Sequence, residues 1–249
     1  MLRLDELWHY CDELLATGTF DDYCPNGLQV EAGEVVTHLV SGVTASQALI
    51  EAALELGADT LLVHHGYFWK GESPRLTGIK GRRIRTLMQG GISLLAYHLP
   101  LDAHPELGNN RQLAEHLDIL DPQPLAGNGL LWQGRLEPAL TAVELGERLA
   151  QRLGRSPLHI PVDGRLIRRL GWCTGAGQGL IEQAAQWGLE AFLSGEISEQ
   201  TVHQARELGI QYFSAGHHAT ERFGVAALGE HLAAHFGISH RFLDLPNPA

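Results

Sequence analysis

The stretch Leu61 to Gly71, LLVHHGYFWKG, puts two adjacent histidines, His64 and His65, directly after three aliphatic residues. Leu61, Leu62 and Val63 read as a strand buried on both faces, and open α/β sheets carry their chemistry where such strands end. With a turn at Gly66, both imidazoles aim into one crevice and hold one metal each or share a pair; a polar loop that happens to carry two histidines is the plainer alternative. Two further stretches add donors. YHLPLD supplies His98 and Asp102, and GHHATE supplies His217 and Glu221, which share a helix face if the segment after Gly216 begins a helix. Three or four imidazoles with two hard carboxylates and no thiolate suit two borderline divalent ions such as iron, manganese, zinc, cobalt or nickel. Glu221 is the candidate bridge between ions about 3.5–4 Å apart, a separation at which a bridging water ionises near neutral pH. Singly, His98 and His104 read as capped or supporting histidines and Asp102 as a helix start, so the inference rests on the three stretches together.

The elements that position these residues form a repeat. With an offset of 131 and no gap, QALIEAALELGADTLLVHHG lies over QGLIEQAAQWGLEAFLSGEI, so that Gly57 falls on Gly188 and Leu62 on Leu193. ISLLAYHLPLD then matches IQYFSAGHHATE with a small change of spacing. The approaches also agree, because an amphipathic N-terminal helix, the strand GLQVE and the strand VVTHLVSGVT are answered by TAVELGERLAQRLG, PLHIPV and RRLGWCTG. A duplicated α/β unit of about 120 residues accounts for this, with lobes at 1–124 and 125–249, DPQPLAGNG as linker and the metal site in the cleft between the lobes. The copies diverge at the informative place. His64 and His65 align with Gly195 and Glu196, so one copy has a carboxylate where the other has an imidazole. Asn26 and Gln29, in DYCPNGLQV, read as turn residues, with site-lining amides as the alternative. TGAGQG lacks the GxGxxG spacing and reads as a tight turn. His203, His231 and His235 fall on predicted helices and read as surface residues.

Composition narrows the function classes. A formal net charge of −11 argues against broad nucleic-acid binding, and the absence of a long apolar run argues against a membrane span. The start carries acids among apolar residues without a basic leader, which predicts a cytoplasmic protein. Cys11, Cys24 and Cys173 are too far apart for a CxxC and read as small buried residues. Lys70, Arg75, Lys80, Arg82, Arg83 and Arg85 gather a third of the 18 basic residues beside the histidine strand. Such a stretch suits a phosphorylated or otherwise anionic ligand, or is simply a solvated face.

DYCPNGLQVE, GVTAS, VHHGYFWKG, YHLPLDAHPELGNN, SGEISEQ, AGHHATER and the closing DLPNPA resemble the signatures of the Nif-three-like proteins, whose members carry the label GTP cyclohydrolase 1 type 2 homologue. The resemblance spans nearly the whole chain and fits the short bacterial form. It implies two α/β lobes, a toroidal homohexamer and two divalent transition-metal ions per chain. His64, His65, Asp102, His217 and Glu221 would be the ligands, with His98 close by. The label implies opening of the guanine imidazole ring of GTP with release of formate, His98 or His218 moving protons. A metal-dependent hydrolase of a nucleotide or phosphorylated small molecule is therefore the first expectation. A non-enzymatic toroid that carries metal or docks a partner is the second.

Overall fold

The computed structural model describes residues 1–125, 127 and 129–249. In chain order its first elements are β1 (Leu2–Arg3), α1 (Leu4–Leu14), β2 (Gly27–Val30), β3 (Val35–Val36), β4 (His38–Thr44), α2 (Gln47–Glu55), β5 (Thr60–His65), α3 (Gly78–Gly90), β6 (Ser93–Ala96) and α4 (Leu99–Ala103). Then follow α5 (Asn109–His116), β7 (Leu120–Pro124), β8 (Trp132–Leu140), α6 (Ala142–Leu153), β9 (Leu158–Ile160), β10 (Ile167–Cys173), α7 (Ile181–Gln186), β11 (Ala191–Ser194), α8 (Glu199–Leu208) and β12 (Gln211–Ser214). The chain closes with α9 (His217–Phe236) and β13 (Ser239–Phe242).

Two compact units result, one of residues 1–101 and 225–245, the other of residues 102–224 and 246–249. Each is discontinuous in sequence, unlike a division at 124/125. The physical reason in the first unit is β13, which returns from the chain's end to pair in parallel with β4. Its sheet has the order β13-β4-β5-β6-β2, with β4, β5 and β6 parallel and β2 antiparallel at the edge. The second sheet has the order β7-β8-β10-β11-β12-β9, again with three central parallel strands and an antiparallel edge strand, β9. The repeat read from sequence is thus a repeat of topology: β4-α2-β5-α3-β6 in one unit, β10-α7-β11-α8-β12 in the other. Both are mixed α/β.

The middles of the central strands are buried in apolar clusters. Leu61, Leu62 and Val63 of β5 are at most 1% exposed, as are Phe192 and Leu193 of β11. Val40, Leu49, Ile50, Ala53, Leu61, Val63, Leu87, Leu94 and Ala96 pack together in the first unit. In the second, Leu145, Leu149, Ile167, Leu170, Trp172 and Phe213 do the same. Helix α2 starts where the Ser46 side chain accepts the Leu49 amide, and α6 starts on a capping box between Thr141 and Glu144. Ala126 and Asn128 of the expected linker lie outside the described residues. Its first part is not a linker but β7, an edge strand antiparallel to β8 that tolerates Pro122 and Pro124 because one side of it needs no ladder bonds. His203 is exposed as expected, whereas His231 is half-buried and its Nε2 meets the Tyr10 hydroxyl at 2.7 Å.

Strand β13 carries a titratable group into the first unit. His240 Nε2 lies 2.7 Å from the Ser41 hydroxyl, under Gly229 of α9, where a Cβ would overlap the imidazole. Burial, and then the neighbouring His38, hold the His240 imidazole below its ordinary 6.5. The unfolded chain therefore takes up this proton first, so the contribution of neutral His240 is complete above about pH 6.5 and is lost as pH falls below it. Denaturant unfolding across that range should show a shallower acid decline for His240→Gln than for the unaltered protein, and equal slopes would count against this account.

Candidate metal centre

Every candidate donor follows the carboxyl end of a central parallel strand. His64 and His65 end β5, His98 lies two residues past β6, and Thr174 and Gly175 follow β10. Gly195 and Glu196 follow β11, and Gly216 with His217 follows β12.

In the first unit each candidate imidazole, His64, His65 and His98, is held through Nδ1. His64, fully buried, donates to the Tyr97 carbonyl at 2.8 Å; His65 meets the Thr44 hydroxyl at 3.1 Å; His98 meets Asp22 Oδ1 at 2.7 Å. Fixing Nδ1 in this way orients the ring and directs Nε2 towards a metal, the usual arrangement around metal-bound histidines. One ring nitrogen from each of the three lies within 4.8 Å of the other two.

Asp22 was not among the sequence candidates. Its carboxylate also accepts the amides of Tyr23 at 2.6 Å and Leu99 at 3.0 Å and the Asn26 side chain at 2.9 Å. Burial raises its pKa, but the bonds from His98 and Asn26 outweigh burial and hold the carboxyl below the usual range. Asn26 also accepts the His98 amide at 2.7 Å. Gln29 clamps the turn after the histidine pair, accepting the Tyr67 amide at 2.7 Å and donating to the Pro25 carbonyl at 2.8 Å. A Cβ on Gly66 would collide with the Gln29 carboxamide and reach within 2.7 Å of Ala96 Cβ, so the turn requires glycine. Both amides therefore position site residues rather than merely turning the chain. The spacing Asp22 to Asn26, within DYCPN, was the available signal, and turn chemistry masked it.

In the second unit α9 does begin at His217, and the i,i+4 pair His217 and Glu221 meets with Nε2 3.0 Å from Oε2. His217 Nδ1 is 2.7 Å from Glu196 Oε1. Burial alone would lower the His217 pKa; Glu221 and then Glu196 outweigh it and raise it to about 9. Asp102 and Glu221 are 6% and 3% exposed, and buried carboxylates of this kind need a cation or several donors. Asp102 Oδ1 accepts from the Asn109 side chain at 2.8 Å and the Thr174 hydroxyl at 3.2 Å. Asp102 is the fourth of the five residues of α4 rather than a helix start. Gly195 N donates to the Gly175 carbonyl at 2.8 Å, and a side chain at 195 would strike Gly175 and His217 Cα. This is why the second copy has no imidazole opposite His64. His218, half-buried beside His217, has its amide 3.3 Å from the Ala249 carbonyl.

The donor set is imidazole and carboxylate. Cys24 lies near Asp22 and His98, and burial, and then Asp22, push its thiol up to about 12. The basic stretch is dispersed. Lys80 pairs with Glu72 at 3.3 Å and lies over Phe68, while Arg75, Arg82 and Arg85 are exposed. Lys70 lines a groove of about 580 Å³ with Asp21, Asp22, Tyr23 and Asn26.

Residues 2–248 match the Duf34/NIF3 (NGG1p interacting factor 3) family. The chain belongs to that family. A relative from Allochromatium vinosum named GTP cyclohydrolase 1 type 2 homolog is 58% identical over 250 residues, covering 100% of this chain and 98% of its own. A solved structure described as protein ybgI of unknown function has a TM-score of 0.96 and 48% identity, and one of TTHA1606 from Thermus thermophilus has 0.92 and 37%. Each covers 100% of both chains. The NIF3-family fold therefore accounts for the whole chain.

Within this NIF3-family chain the backbone at Gly175 is the tightest feature of the carboxylate half. Its φ is +60°, and a Cβ there would overlap the Glu221 carboxylate and stand 3.0 Å from His217 Nε2. Gly175→Ala should cost about 1–2 kcal/mol from backbone conformation alone and should lower bound metal while leaving cooperative unfolding. Elemental analysis of the purified variant measures this, and metal content equal to that of the unaltered protein would show that the close approach is dispensable.

Proposed function

We propose that this NIF3-family protein is a dinuclear-metal hydrolase acting on a nucleotide or another phosphorylated small molecule. His64, His65, Asp102, His217 and Glu221 would hold two divalent transition-metal ions, with Glu221 as the shared ligand. The observation that carries the reading is the support given to four of these five residues. His64, His65 and His217 each have Nδ1 engaged, and Asp102 has two side-chain donors on one oxygen. Such a shell is the usual surrounding of metal-bound imidazoles and carboxylates. The ions would supply electrophilic activation of the scissile group and a water ionised near neutral pH. Proton movement falls to His98 or His218. Lys70, exposed beside the groove that Asp22 and Asn26 line, offers a cation for an anionic group of the substrate. The names of close relatives support a nucleotide among the candidates.

No described helix is long and apolar enough to cross a membrane. The same proposal takes the protein to be cytoplasmic and to work as a toroidal homohexamer, as its family resemblance implies.

Purified protein should carry about two transition-metal ions per chain, as a paired-ion centre demands. His65→Ala and Glu221→Ala should each lower that number, and unchanged content in both would remove the centre. In a screen of nucleotides and phosphoesters, hydrolysis should depend on added metal and fall in both variants by on the order of 100-fold or more, the scale of a lost metal ligand or catalytic group. Full metal loading without turnover on any compound would instead identify a metal carrier.

A further inference from the structure

Helix α9 starts at His217, and the residue before it, Gly216, has no side chain with which to accept an amide of the first turn. Glycine is required at 216: its φ is +102°, and a Cβ there would overlap the guanidinium of Arg155. Residues 248 and 249 supply an acceptor instead. The His218 amide donates to the Ala249 carbonyl at 3.3 Å, and Arg155 Nη1 donates to the Pro248 carbonyl at 2.8 Å. Asn247 Oδ1 accepts the Ala249 amide at 2.9 Å and so holds this short segment in a turn. Residues 246–249 belong to the second unit, although β13, just before them, belongs to the first. Pro246 and Pro248 fix two φ angles of the segment in advance, so docking it costs less conformational entropy. Arg155 itself follows Gly154, the left-handed residue that ends α6, and Arg222 of α9 donates to the Leu153 carbonyl at 3.1 Å. The end of α6 is thus tied to α9 and to the tail at once.

We propose that Arg155 and residues 246–249 form a clasp that fixes the first turn of α9 and thereby positions His217 against Glu221. His217 is the first residue of the helix and Glu221 lies one turn on, so their 3.0 Å contact requires residues 217–221 to be helical. End turns are where helices fray, and a turn held from outside frays less. A guanidinium has no lone pair for a cation, so Arg155 acts on the site only through the backbone it holds. Each half of the clasp needs the other. Without the tail, Arg155 loses an acceptor and the His218 amide loses a carbonyl; without Arg155, the tail loses a charge-assisted bond, the stronger kind. For its effect on metal this inference rests on the dinuclear-metal reading, and it goes beyond that reading by giving a role to residues that supply no donor.

The test compares the full-length protein, a form ending at Leu245, and the variants Arg155→Met and Arg155→Lys, each stripped with chelator. In the metal-free state, amide exchange at His218 should quicken roughly 3- to 10-fold on truncation or with Arg155→Met, the scale of one lost hydrogen bond. Titration of the same two proteins with Co²⁺ should show at least one of the two ions weakened by about 10-fold, the lower end of the effect of a lost supporting group. Arg155→Lys keeps a cationic donor for the Pro248 carbonyl and should recover most of both losses. Arg155→Met introduced into the truncated form should add little to truncation alone, because both changes remove one interaction. Unchanged Co²⁺ affinity in the truncated form, or effects that multiply when the two changes are combined, would overturn the proposal. Failure of the full-length protein to bind Co²⁺ would instead sink the dinuclear reading, and the exchange rate of His218 would then decide the clasp: unchanged on truncation, it is wrong.

Discussion

The site depends on one constraint: an imidazole reaches a metal with a defined nitrogen only if its other nitrogen is occupied. In this protein the backbone or a neighbouring side chain occupies it each time. The Tyr97 carbonyl does so for His64, Thr44 for His65, Asp22 for His98 and Glu196 for His217. A free histidine samples two tautomers and several rotamers, and each lost degree of freedom costs binding energy. Here the fold itself removes that freedom.

The sheets make this possible. A parallel strand delivers its last residues to the same edge as its neighbours, and register places them side by side: Thr44 pairs with His65 on β4 and β5, and Val63 with Ala96 on β5 and β6. The Thr44 to His65 bond is therefore a consequence of strand register, and the Tyr97 carbonyl reaches His64 because β6 runs beside β5. The second sheet repeats the arrangement, with Cys173, Ser194 and Ser214 aligned before the turns that carry Gly175, Glu196 and His217. Glycine is required where these turns crowd. At Gly175 the backbone passes so close to Glu221 that a methyl group has no room, and at Gly195 the same holds against His217.

Duplication explains both the likeness and the division of labour. Aligned positions 65 and 196 hold an imidazole and a carboxylate, and the carboxylate acts on a neighbouring histidine, taking the part in the second unit that Asp22 takes for His98. One copy is rich in nitrogen donors and the other in oxygen donors.

The chain's residues by themselves determined the α/β class and the repeat and singled out the candidate donors, because these depend on local properties. Aliphatic runs mark buried strands, helical spacing places His217 beside Glu221, and residue chemistry sets the ligand type. The positioning residues were invisible at that level. Asp22 is 76 positions from His98 and Asn109 is 115 from Gly224, and an amide or acid in a turn looks the same whether or not a distant histidine lands on it. Unit boundaries were hidden for the same reason, since β13 joins β4 through ladder bonds that span some 200 residues. Composition and spacing report what a side chain is able to do. Only tertiary structure decides which nitrogen of a ring is left to do it, because that depends on an acceptor supplied from elsewhere in the chain.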